Sequence, residues 1–111
     1  MATNLDDLVN MKGVLLAFEF TPDGTCTSYK NVTREMAAMI SHFCAAVTMN
    51  FNALASGFTD LSMQEWVPQK GWVYAGGPHT VIMGKGGYRG VFADSAQVNI
   101  DEVFAVLAGQ D

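Results

Sequence analysis

The chain has 111 residues, half of them hydrophobic, with 15% charged and a formal net charge of −5. That length fits one domain, residues 1–111, with a core that needs no staples. The acidic balance and only six scattered Lys and Arg exclude the basic footprint of a nucleic-acid binder, and Cys26 and Cys44 form no CxxC pair, so both are expected as plain thiols. No basic stretch followed by an apolar run opens the chain, so no secretory signal is expected and a cytoplasmic location is.

Asn4 to Met11 reads as a short helix, capped by Asn4, with Asp6 and Asp7 in its first turn and Gly13 after it. Val14 to Phe20 alternates and is apolar on both faces, which predicts a central strand. Thr21-Pro22-Asp23-Gly24 is a turn: Pro22 presets the backbone and Gly24 closes it. Thr25 to Lys30 is the returning strand, and Glu19 is expected to pair with Lys30 across this hairpin.

Thr33 to Leu61 predicts one long helix. Thr33 caps it, Glu35 sits in the first turn, and Gly57 is expected to end it. From Met36 to Thr59 there is no Asp, Glu, Lys or Arg. Met36, Ile40, Phe43, Val47, Phe51 and Leu54 make one apolar stripe, widened by Met39, Cys44, Ala46 and Ala55 and expected to face this chain's own sheet. Ala38, Ser41, His42, Ala45, Thr48, Asn52 and Ala53 make a second face that is small and uncharged. A second copy is expected to approach there, giving a symmetric dimer. The interface so expected comprises Ala38, Ser41, His42, Ala45, Thr48 and Asn52, joined by Gln64 and Trp66. His42, Asn50 and Asn52 interrupt the segment, so no membrane span is expected.

The second half reads as strands near Gln64–Val67, Gly71–Ala75, Thr80–Met83 and Tyr88–Ala93: four, or three with a bulge. Pro68 places the strand before it at an edge or at its end. Asn99, with Glu102 three residues on, starts a final helix with Ile100, Val103, Phe104 and Leu107 on its buried face. The order is α-β-β-α-β-β-(β)-β-α. It predicts a three-layer α/β fold: an antiparallel sheet of about five strands, the long helix on one face and the short terminal helices on the other.

That order, with Leu5-Asp6-Asp7-Leu8-x-x-x-Lys12-Gly13-Val14 and Pro22-Asp23-Gly24, resembles the roadblock/dynein-light-chain-like family of the profilin-like superfamily. Ser28-Tyr29-Lys30, Met36-Ala37-Ala38-Met39, Trp66-x-Pro68-x-Lys70-Gly71-Trp72, Ala75-Gly76-Gly77 and Gly90-Val91-Phe92 are similar to a group of small prokaryotic proteins of that superfamily. Members of that group can occur beside sulfur-oxidation genes. The resemblance implies a homodimer in which long helices pack together and edge strands join. It also implies a non-catalytic role and a protein partner, such as a small GTPase or a larger assembly. The Trp66 to Gly77 region departs from the ordinary roadblock pattern in its Trp and Gly content.

Gly76 to Gly87 fails phosphate-loop spacing, because neither His79 nor Thr80 is Gly and Gly86, not Ser or Thr, follows Lys85. His42, Cys44, Cys26 and His79 lack zinc spacing, so no metal and no cofactor is expected. Trp66, Trp72, Tyr74 and Tyr88 fall in the β-rich half. As an alternative function they point to a small-molecule or sensory pocket built from Trp72, Tyr74, His79, Lys85 and Tyr88. No nucleophile–base pair is evident, so an enzyme is not expected.

Overall fold

The structure, a computed structural model, describes residues 5–109, so the expected cap Asn4 lies outside it. Thr33 opens the longest element. Its hydroxyl accepts a hydrogen bond from the Met36 N–H at 3.2 Å, and Glu35 sits where the positive helix end favours an acid. The resulting helix α2 spans Arg34–Ser62. It does not stop at Gly57. It ends at Met63, which takes the left-handed conformation (φ 61°) and donates its N–H to the Thr59 carbonyl at 3.1 Å. A glycine inside a helix costs only about 1 kcal/mol against Ala, and the packing of Phe58 against Trp66 just beyond it, rings 4.9 Å apart, offsets that cost.

A short helix α1 (Leu5–Val9) leads into β1 (Val14–Phe20). The turn after β1 closes as expected, with the Gly24 N–H donating to the Thr21 carbonyl at 2.8 Å. The Asp23 carboxylate accepts from the Thr21 hydroxyl and the Thr25 N–H, and these bonds hold its pKa below the usual carboxylate range. β2 (Cys26–Lys30) returns beside β1. After α2 come three strands, β3 (Trp72–Gly76), β4 (His79–Gly84) and β5 (Arg89–Asp94), then α3 (Ile100–Gly109). Gln64–Val67 is not a strand. The Gln64 N–H donates to Ser62 Oγ and the Trp66 N–H to Thr59 Oγ1, so this backbone is tied to the end of α2 rather than to a sheet.

The five strands form one antiparallel sheet in the order β2-β1-β5-β4-β3, with β1 interior as its two apolar faces require. Leu5 and Leu8 of α1 and Val103 and Leu107 of α3 pack on Ala17, Ile82 and Val91 to make one core. Asn99 caps α3, its side chain accepting from the Glu102 N–H at 3.0 Å. The other sheet face meets α2 through Phe18, Phe20 and Met83, with Ile40, Cys44 and Ala45 from the helix. The three layers match the expected arrangement.

The buried face of α2 is turned part-way from expectation: Ile40, Cys44 and Ala55 of the expected core stripe are buried, but so are Ser41, Ala45 and Thr48 of the second face. Ala37, Ile40, Ser41, Cys44, Ala45, Thr48 and Ala55 are the buried residues, whereas Met36, Met39, Phe43 and Leu54 are exposed. The reason is space. The sheet already supplies large rings, Phe18 and Phe20 stacked at 6.0 Å, and α2 settles on them through Ile40 and the smaller Cys44 and Ala45. The Glu19–Lys30 pair also fails. The strand register sets Ser28 opposite Glu19 and Lys30 across from Ala17. Lys30 meets Asp6 of α1 at 2.9 Å, and Glu19 meets Lys85 at 2.7 Å.

Candidate functional site: an uncharged strip from the long helix to the sheet edge

α2 lies over β1, β2 and the 3-10 turn at Lys85–Gly87. Its outer stripe is therefore left to solvent: Met36, Met39, Phe43 (63% exposed), Leu54 and Leu61 (81%). By length and composition this helix would suffice to cross a membrane; here one of its faces lies on the sheet. Beside the stripe, the sheet face continues past the helix. Leu16, Val81 and Phe92 are half-buried there, and with Tyr74 and His79 they line a shallow apolar hollow of about 380 Å³. The hollow ends at β3, the outermost strand. β3 reads Trp-Val-Tyr-Ala-Gly, with no charge and no proline to blunt its open backbone edge. Val73 and Tyr74 (65% exposed) stand out from it.

At the other end of the stripe, the segment after α2 folds back and borders an open cleft of about 850 Å³. Phe51, Leu54 and Phe58 line it together with Trp66, Pro68 and Trp72. One buried hydroxyl organises it. Thr48 Oγ1 donates to the Gly87 carbonyl at 2.7 Å and accepts from Trp72 Nε1 at 2.9 Å. Gln69 Nε2 donates to the Thr48 carbonyl at 3.0 Å and to Asn52 Oδ1 at 2.7 Å. Trp66 Nε1 donates to Ser62 Oγ at 3.0 Å. Two glycines make the approach possible. A Cβ on Gly87 (φ 99°) would stand 2.7 Å from the Thr48 side chain, and one on Gly71 (φ 155°) 1.9 Å from the Met83 carbonyl oxygen. The Trp and Gly content of this region is thus explained by the way it is fastened to α2.

The residues expected at an interface separate accordingly. Ser41, Ala45 and Thr48 are buried in the chain's own core, a correction that follows from the part-way turn of the helix. Ala38, His42, Asn52, Gln64 and Trp66 are exposed. The five residues expected to form a ligand pocket do not converge. Trp72 lines the cleft, while Tyr74 and His79 line the hollow. Lys85 is engaged with Glu19, and Tyr88 packs edge-on to Phe20 at 5.8 Å. Strand alternation scatters them, and no loop gathers them again. Sequence reasoning missed Phe43, Met39 and Leu61 as exposed residues, although the missing charge on both faces of α2 was the available signal.

Cys44 is buried, and desolvation pushes its thiol up to about 12. Cys26 is half-buried, and its thiol donates to the Ser28 carbonyl at 3.4 Å. Among the described residues no three His, Cys, Asp or Glu side chains gather in a metal-holding group.

The fold is that of a roadblock/LC7 domain. The chain superposes on the roadblock/LC7 domain from Streptomyces avermitilis with a TM-score of 0.78 and 13% identity, covering 94% of this chain and 85% of that one. It also superposes on Myxococcus xanthus MglB with a TM-score of 0.58 and 15% identity, covering 86% and 80%. By sequence, residues 4–109 match the family described as uncharacterized conserved protein (DUF2173), and the chain belongs to that family. No curated protein matches it in sequence.

Proposed function

We propose that this protein is a non-catalytic interaction module that works as a cytoplasmic homodimer and presents a platform to a protein partner. One observation carries the reading: the uncharged apolar strip that runs from the outer face of α2, over the bare sheet face, to the open edge of β3. An exposed patch of this kind on a globular domain marks an interaction site. A second copy fits it, because two β3 edges can pair and each α2 stripe can then cover the other. The resemblance to roadblock domains supports a small GTPase or a larger assembly as the further partner.

Light scattering over a dilution series tests this. The expected mass is twice 12.0 kDa. Phe43→Glu, which places a charge in the strip but outside the chain's own core, should give a folded monomer by circular dichroism. A wild-type monomer at every concentration, or a Phe43→Glu variant that dimerises as tightly as wild type, would refute the proposal.

A further inference from the structure

We infer that the aromatic cleft beside Trp66 is a binding site for a small organic cation, an ammonium group carried on a ring or other apolar body. The site lies within one chain, so it goes beyond the interaction reading and does not rest on it.

The rings set the body of the ligand. Phe51 and Phe58 stand two helical turns apart on α2, about 10 Å along its axis. Each meets a tryptophan: the Phe51 and Trp72 rings lie 5.8 Å apart at 49°, and the Phe58 and Trp66 rings 4.9 Å apart at 50°. Both pairs line the cleft, whose volume of about 850 Å³ falls within the range of small-molecule sites.

The hydrogen-bond inventory sets the sign of its charge. The indole and amide donors are already spent within the chain. Trp66 Nε1 donates to Ser62 Oγ, Trp72 Nε1 to Thr48 Oγ1, and Gln69 Nε2 to the Thr48 carbonyl and Asn52 Oδ1. A carbonyl oxygen only accepts, so the Gln69 amide is fixed with its nitrogen towards Thr48. Its Oε1 is left buried, with no hydrogen-bond partner among the described residues. Glu65 also lines the cleft, and among the described residues no ion pair engages it. The cleft therefore supplies acceptors, a carboxylate and indole rings whose polar edges are turned to the chain itself. Indole faces attract cations, and more strongly than other aromatic rings do. The net charge of −5 acts in the same direction at longer range. Lys70 is the one opposing group on the lining. Its side chain is exposed and long enough to keep its ammonium in water.

Both tryptophans of the chain line the cleft, so their emission reads it directly. Three probes share a phenylethyl body and differ in the head group: phenethylamine, phenethyl alcohol and hydrocinnamate. At neutral pH and constant ionic strength, phenethylamine should shift the emission saturably. The alcohol should bind roughly tenfold more weakly, and hydrocinnamate more weakly still. Glu65 is exposed, so Glu65→Gln should fold as wild type does, and it should reduce the preference for amine over alcohol to about twofold. An alcohol that binds as tightly as the amine, a preference unchanged by Glu65→Gln, tightest binding by hydrocinnamate, or no saturable shift with any probe would each overturn the site. None of these results bears on the homodimer, which is read from the mass in solution.

Discussion

Replacing Thr48 by Val keeps the shape of the side chain and removes the hydroxyl on which the second half of the molecule is hung. Thr48 is fully buried, and its oxygen makes two bonds, to the Gly87 carbonyl at 2.7 Å and from Trp72 Nε1 at 2.9 Å. A buried hydrogen bond contributes about 1 kcal/mol net, and a partner stranded without water costs about 1–3 kcal/mol. Gly87 is buried and takes that penalty in full. Trp72 is half-buried, so water relieves part of its share. The sum predicts a loss of about 2–4 kcal/mol for Thr48→Val. Thr48→Ser keeps both bonds, loses one methyl group, and should cost about 1 kcal/mol. Urea unfolding followed by tryptophan emission and far-ultraviolet circular dichroism measures both variants. Protein concentration is held fixed, so that any self-association contributes equally to the variants compared. A Val variant within about 0.5 kcal/mol of wild type, or a Ser variant worse than the Val variant, would refute the assignment of Thr48 as the clamp.

Two glycines should respond with opposite sign. Gly57→Ala has open space around its Cβ in the middle of α2 and should stabilise by up to about 1 kcal/mol, whereas Gly87→Ala should destabilise by more than the Thr48→Ser change, because its Cβ meets Thr48 at 2.7 Å with φ at 99°; thermal melts of the two variants check the order. The cysteines should also separate: a thiol-exchange reagent at pH 8 should label Cys26 well before Cys44, and Cys44 only as the protein unfolds. Because burial raises the Cys44 pKa from the ordinary 9.0 to about 12, its neutral form stabilises the fold fully below pH 9, and that contribution fades as pH rises from 9 towards 12. The stability gap between wild type and Cys44→Ala should therefore shrink over that window, and a gap that widens would contradict the burial argument.

Local signals of short range were legible in the sequence. The caps at Thr33 and Asn99 and the turn at Pro22-Asp23-Gly24 form as their chemistry requires, because each needs only three or four neighbouring residues. The interior position of β1 followed from its two apolar faces. The failures depend on distant partners. Glu19 finds Lys85 through an adjoining turn that no hairpin rule contains. Gln64–Val67 has strand-like composition, yet Thr59 and Ser62 supply its backbone bonds. The candidate pocket residues were chosen for chemistry along the chain, and the sheet separated them.

The part-way turn of α2 from the expected face has a more general cause. The rule that the bulky stripe of a helix faces the core assumes that the opposite face is polar, and that contrast is what drives the choice. Here neither face is charged between Met36 and Thr59, so hydrophobic transfer alone does not decide. Fit decides instead. Phe18, Phe20 and Phe92 already fill the sheet surface, with Phe18 and Phe92 edge-on at 5.9 Å, and the small face of α2 nests on them at close range. The large residues are then displaced outward and gain burial only from another molecule. A helix with no charge through its middle, lying on an aromatic sheet, thus turns several of its bulkiest side chains outward. The same logic makes Phe43, rather than Ala45, the position at which a charge should separate two copies without unfolding either.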